Sequence, residues 1–223
     1  AAKLGALAEF AAGAGHAISN PRAAISCRAQ LLLTSETDPQ RRHDLATIHA
    51  QAVRVHEMIA DLMFFARPPE PQLAAFDVVA AIDRLLAELA GHEAHRHVVF
   101  RRSGASGPVE VVADPAQLLA AIRAVCLNSL FALQGHGSIE IEVTPAPGEL
   151  HIAIRDDGPG ISPAVREHLF DPYFSGRESG RGLGIGLSKV WRIIDQHGGR
   201  VEVESELGQG TTIALILPSA KKR

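Results

Sequence analysis

Leu45, Ile48, Ala52, Val55, Ile59, Leu62 and Ala66 follow one another at intervals of three and four, the a/d spacing of a coiled-coil seam. A chain with that stripe forms a helix there and must cover the stripe with other helices. Upstream, Leu4, Ala11, Ile18, Ile25 and Leu32 recur every seven residues, which predicts a second long helix. Between the two lies Thr34-Ser35-Glu36-Thr37-Asp38-Pro39, where Asp38 can cap the following helix and Pro39 can open it. Arg67-Pro68-Pro69-Glu70-Pro71 stops that helix, because proline removes a backbone donor and pushes its predecessor out of helical conformation. The expectation is an antiparallel helical hairpin over residues 1–70. One hairpin leaves half its seam open, so a second copy should complete a four-helix bundle and make a homodimer.

Past the prolines the period changes. Val109 to Val112 is a short apolar run, and Asp114-Pro115 opens a helix whose apolar residues run from Leu118 to Leu133. Ser138 to Val143 and His151 to Arg155 alternate as half-buried strands. Leu187 to His197 is helical and stops at Gly198-Gly199, while Val201 to Glu204 and Thr211 to Leu217 supply two more strands. Residues 71–223 therefore read as an α/β sandwich, helices layered on one mixed sheet. The chain as a whole is α+β. Aromatic residues make up only 4% of it, so the core must be built from Ala, Leu, Ile and Val.

A formal charge of -3 gives no reason to expect a nucleic acid partner. Two cysteines, Cys27 and Cys126, do not make a disulfide framework, which suits a reducing cytoplasm. No run approaches the roughly 20 apolar residues of a membrane span, and no signal-peptide pattern is present. The chain opens at Ala1-Ala2-Lys3-Leu4 without cap or initiator methionine. It reads as a fragment whose upstream sensor domain, and any membrane anchor with it, is missing.

Three segments carry chemistry. Asp156-Asp157-Gly158-Pro159-Gly160 follows a strand, and a carboxylate there can accept from an exocyclic amine while the glycines let backbone approach a flat ring. Taken alone, it reads first as an ordinary Asp-Gly turn. Gly180 to Leu187, with glycines at 180, 182, 184 and 186, runs into a helix whose first N–H groups suit phosphate oxygens, though a loop without ligand is an equal reading. Asn128, amid apolar neighbours, is either a satisfied core amide or an oxygen ligand for Mg²⁺. The order of the three segments decides.

That order resembles the ATP-binding fold shared by histidine kinases, Hsp90 chaperones, type II topoisomerases and MutL. Asp114 to Leu133 is similar to the kinase N box, Asp156 to Gly160 to the first glycine box, and Phe170-Asp171-Pro172-Tyr173-Phe174 to the F box. Gly182 to Leu187 resembles the second glycine box, and Gly208-Gln209-Gly210-Thr211-Thr212 the closing motif. Gly15-His16-Ala17-Ile18-Ser19-Asn20-Pro21 resembles the H box of sensor histidine kinases in two-component systems. The resemblance implies ATP and Mg²⁺ as ligands. Asn128 would hold the metal and Asp156 the adenine. Gly158, Gly160, Gly182, Gly184 and Gly186 would shape pocket and lid, Thr211 would order the adenine site, and Arg177 would contact phosphate. His16 would take the γ-phosphate and pass it to an aspartate on a response regulator receiver domain, with Asn20 one turn away.

If Ile18 and Ile25 face the seam, His16 falls on the far side of the helix at about 100° per residue, open to another domain. Two positions depart from the family pattern: Ala17 stands where an acidic residue usually follows the histidine, and Ala124 where the N box usually has a second Asn. Ala17 suggests slow autophosphorylation, or a shift toward removing phosphate from the regulator, and leaves open an ATP-binding dimer that transfers no phosphate. A chaperone-like or topoisomerase-like ATPase would need a long additional domain. His92-x-x-His95-x-His97 is a further candidate, as a zinc site.

Overall fold

The computed structural model describes residues 20–66, 68–171, 174 and 184–219, and the chain divides into two compact units, 1–69 and 70–223. In the first, helix α1 (described over 20–35) and helix α2 (Pro39–Ala66) are joined by a three-residue turn. The turn is wired as the sequence predicts. Asp38 accepts from the Arg41 N–H at 2.9 Å, and Pro39 is the first residue of α2. Arg42 adds a tie that residue patterning does not reveal. Its guanidinium donates to the carbonyls of Leu33 (2.9 Å) and Glu36 (2.8 Å), satisfying acceptors at the end of α1. Higher up, Ser26 and His49 share a hydrogen bond at 3.0 Å between the helices.

Small residues let the two helices approach: Ala29 and Ala52 are both buried. The large seam residues Ile25, Leu32, Ile48 and Val55 stay 40–55% exposed in the single chain. One hairpin thus consumes only part of its apolar surface.

The second unit contains a two-stranded antiparallel sheet, β1 (Ala74–Asp77) with β3 (Glu110–Ala113), and a five-stranded sheet. The larger sheet comprises β2 (Val98–Gly104), β4 (Gly137–Ala146), β5 (Glu149–Asp156), β6 (Arg200–Glu206) and β7 (Gly210–Pro218) in the order β2-β4-β5-β7-β6. Only β2 with β4 is parallel. Helices α3 (Val78–Ala90), α4 (Pro115–Leu133) and α6 (Gly186–Gln196) pack on one face of it, and a short helix α5 (Pro163–Glu167) precedes the Phe170 segment. Alternation explains the sidedness. Ile139, Ile141, Val143, Ile152, Ile154, Ile213 and Leu215 point into the helices and are buried, whereas Glu140, Glu142, Arg155, Glu202 and Glu204 occupy the opposite face.

Helix α4 is 19 residues long with a mean hydropathy of 1.6, long and apolar enough by composition to cross a membrane, contrary to the sequence reading. Its place explains the composition. Leu118, Ala121, Ile122, Val125 and Cys126 are completely buried in this domain. Asp114 caps it, accepting from Gln117 N–H at 3.0 Å and from Gln72 N–H at 2.9 Å. Burial opposes the Asp114 charge, but the Gln117, Gln72 and Ala116 N–H groups outweigh it and hold the carboxyl below its ordinary value.

Candidate functional site

The end of β5 meets the second half of α4 at Asp156. That carboxylate is 4% exposed and accepts from two groups: the Ser129 hydroxyl at 2.7 Å on Oδ2 and the Gly158 N–H at 3.1 Å on Oδ1. Asn128, next to Ser129 on α4, is half-buried rather than enclosed in the core. Thr211 is the β7 partner of Asp156 in the sheet ladder and is itself buried. Its Oγ1 lies 3.0 Å from the Ser205 hydroxyl. Ser205 donates its one proton to the Gly210 carbonyl at 2.8 Å and accepts from the Ile161 N–H at 2.8 Å, so Thr211 is the donor in their contact.

Close backbone approach explains the glycines here. A Cβ on Gly210 would stand 2.0 Å from the Asp156 carbonyl oxygen, and one on Gly160 would stand 2.0 Å from that of Glu206. Both residues also hold positive φ, 90° and 72°. Gly158 is tight too, since its Cβ would reach 2.9 Å from Asp156 Oδ1. The neighbouring Asp157 braces the loop to β4, taking both the N–H and the hydroxyl of Ser138 at 2.7 Å. The Ser138 N–H, acting against burial, holds the Asp157 carboxyl below its ordinary value.

Helix α6 packs beside α4. Gly184 turns with φ of 66° just before it, and Gly186 is its first residue. No side chain caps its N-terminus among the described residues: the N-cap is Ile185, whose side chain has no acceptor, and the Ser188 hydroxyl donates to the Ile185 carbonyl. The first-turn N–H groups therefore offer a place for an anion. At the far end of α6, His197 accepts from the Asp114 N–H through Nε2 (2.9 Å) and donates through Nδ1 to the Ile193 carbonyl (2.7 Å). That bond locks the N-cap of α4 to the C-terminus of α6.

Of the sequence candidates, Asn128, Asp156, Gly158, Gly160 and Thr211 gather around the α4–β5–β7 junction, with Gly184 and Gly186 at the start of α6. Asn20 is exposed on α1. His16, Ala17, Arg177 and Gly182 lie outside the described residues. Sequence reasoning missed Ser129 and Ser205; Ser129 at least adjoins Asn128, whereas Ser205 lies six positions from Thr211 and carried no signal.

The zinc reading is corrected. Among the described residues no group of three or more His, Cys, Asp or Glu side chains could hold a metal ion. His92 Nδ1 accepts from the Ala94 N–H, His95 Nδ1 pairs with the Leu89 carbonyl, and His97 Nε2 accepts from Arg96. Its ring stacks on that of His136 with centroids 5.3 Å apart.

Residues 6–71 match the family described as His Kinase A (phospho-acceptor) domain, and residues 113–221 that of the histidine kinase-, DNA gyrase B- and HSP90-like ATPases. The sensor histidine kinase ZraS of Escherichia coli (strain K12) is 30% identical over 217 residues, 97% of this chain and 46% of that protein. The chain belongs to the sensor histidine kinases. This histidine kinase chain spans about half the length of ZraS. In fold it is similar to full-length ShkA, solved in complex with AMPPNP, with a TM-score of 0.80 and 24% identity over 95% of this chain and 46% of that one. It is also similar to the histidine kinase ThkA, solved in complex with the response regulator protein TrrA, with a TM-score of 0.69 and 21% identity over 99% of this chain and 64% of that one.

Proposed function

We propose that this chain is the catalytic core of an ATP-dependent protein-histidine kinase that phosphorylates itself on His16 and passes the phosphoryl group to an aspartate of a response regulator receiver domain. The observation that carries the reading is Asp156. A buried carboxylate, oriented by two donors at a sheet end and flanked by glycines whose backbone is in close contact, is suited to accept from the exocyclic amine of adenine. Residues 71–223 are then the ATP-binding domain and residues 1–70 the dimerisation and phosphotransfer hairpin.

Asn128, half-buried on α4 beside Ser129, is the candidate ligand for Mg²⁺, and the ion would neutralise triphosphate charge when bound. Gly184 just before α6 and Gly186 at its first position are assigned to the phosphate side, where a helix N-terminus without a side-chain cap among the described residues favours negative charge. Gly182 and Arg177 are assigned there by the family resemblance alone. Thr211 completes the base side and Asn20 the neighbourhood of His16. In the reaction a His16 ring nitrogen attacks the γ-phosphorus, the bond to the β,γ-bridging oxygen breaks, and ADP leaves. The half-exposed seam of Ile25, Leu32, Ile48 and Val55 supports a homodimer. Both cysteines are free, which suits a cytoplasmic setting. An upstream sensor domain belongs to this reading because relatives such as ZraS are about twice as long.

The match to the phospho-acceptor family and the relatives named as histidine kinases favour phosphotransfer over a nucleotide switch that transfers nothing. The test is nucleotide binding by the intact chain. ATP with Mg²⁺ should bind, Asp156→Asn should weaken it by at least about tenfold, the loss of a charge-assisted hydrogen bond, and Asn128→Ala should abolish its dependence on Mg²⁺. Wild-type chain that fails to bind ATP would overturn the reading.

A further inference from the structure

Ser129 sits inside a helix, where a serine hydroxyl ordinarily bonds back to the carbonyl four residues earlier or faces water. Here it is 5% exposed and reaches out of α4 to Asp156 Oδ2 at 2.7 Å. The Gly158 N–H takes the other oxygen, Oδ1, at 3.1 Å. Two donors from different elements, one on each oxygen, fix the plane of the carboxylate. An ionised carboxylate offers about four acceptor positions, so each oxygen keeps one for a ligand and neither has a proton to give. At Thr211 the pattern is the same. Its proton goes to Ser205, because Ser205 gives its own to the Gly210 carbonyl, and the Thr211 oxygen is left with lone pairs.

We propose that Ser129 is a positioning residue for base selection: by holding Asp156 as a fixed, acceptor-only group it makes the site prefer a purine with an amine at its sixth position over one with a carbonyl there. The inference rests on the ATP reading above and adds to it a residue that touches no ligand. A carbonyl-bearing purine presents an acceptor to an acceptor, which costs affinity because neither side can supply the proton. Without the Ser129 hydroxyl the carboxylate can swing, and an unpaired Oδ2 can take up water. Discrimination would fall before binding is lost altogether.

The experiment measures dissociation constants of the intact chain for ATP and for inosine triphosphate, which carries a carbonyl in place of the amine. Four forms are compared: wild type, Ser129→Ala, Ser129→Thr and Asp156→Asn. Ser129→Ala should weaken ATP about tenfold, the loss of one hydrogen bond to a charged group, and leave inosine triphosphate within about twofold. The ATP preference then falls by nearly the whole factor, while Ser129→Thr, which keeps the hydroxyl, retains most of it. Equal losses for both nucleotides in Ser129→Ala would mean a merely structural role, and no loss would mean none; either overturns the proposal while the ATP reading stands. Should Asp156→Asn also leave the preference unchanged, the fault lies with the base-binding role of Asp156, and both readings fall together.

Discussion

Gly210 shows how narrow the tolerances of the site are. With φ of 90° and a would-be Cβ 2.0 Å from the Asp156 carbonyl oxygen, no side chain fits unless β5 and β7 part. Gly210→Ala should destabilise the ATP-binding unit by about 2 kcal/mol or more, the scale of backbone strain and overpacking together. Thermal denaturation checks this, and an unchanged melting temperature would contradict the close approach. The carboxylates make a second residue-level claim. Asp114 and Asp157 are held below their ordinary values by backbone N–H groups, so their contribution is present above the unfolded carboxylate pKa of about 4 and is lost as pH falls through the lower folded values. Stability followed from pH 6 to pH 2 should show an acid limb that starts near pH 4, and Asp157→Asn should shallow it. At position 17 the expectation concerns rate. Ala17→Glu should accelerate phosphorylation at His16, by up to ~10²- to 10⁴-fold if the carboxylate serves as general base, and an unchanged rate would remove that role.

At the scale of elements, the parts of the fold built on strong alternation or clear caps could be read from the sequence. Asp114-Pro115 marked the start of α4, and Gly198-Gly199 the end of α6. Strands β4, β5 and β7 were legible because their inward residues are β-branched or Leu at every second position. Helix α3 and strand β2 were not named. Val98-Val99-Phe100-Arg101-Arg102 lacks a clean period because β2 is an edge strand, where Val99 and Arg101 face outward together. The site was legible as single residues and glycine spacing, whereas its hydrogen-bond wiring was not, since Ser129–Asp156 and His197–Asp114 join residues 27 and 83 positions apart. Those long-range ties carry an element-level prediction. His197→Ala removes the acceptor of the Asp114 N–H and should cost about 1 kcal/mol or somewhat more. Amide exchange at Asp114 and in the first turn of α4 should speed up, and unaltered protection there would show that the tie contributes nothing.

For the molecule as a whole, the two units suit the two halves of the proposed phosphotransfer. The hairpin presents a surface whose large apolar residues remain half-exposed, and the sandwich unit holds the carboxylate, amide and glycines suited to a nucleotide. The first of these facts supports the proposed homodimer. Replacing Ile25 and Ile48 together by Asp should convert the chain to a monomer in sedimentation, because each charge would lie in the seam of a four-helix bundle. A dimer that survives both changes would place the interface elsewhere. Where the phosphoryl group goes is the most direct test of this function. The measurement is transfer of label from γ-labelled ATP with Mg²⁺ to the intact chain, alongside His16→Gln, with the product tested in acid. Acid-labile label on the wild type and none on His16→Gln is the predicted result. Label that survives acid, or that persists in His16→Gln, would contradict His16 as the acceptor.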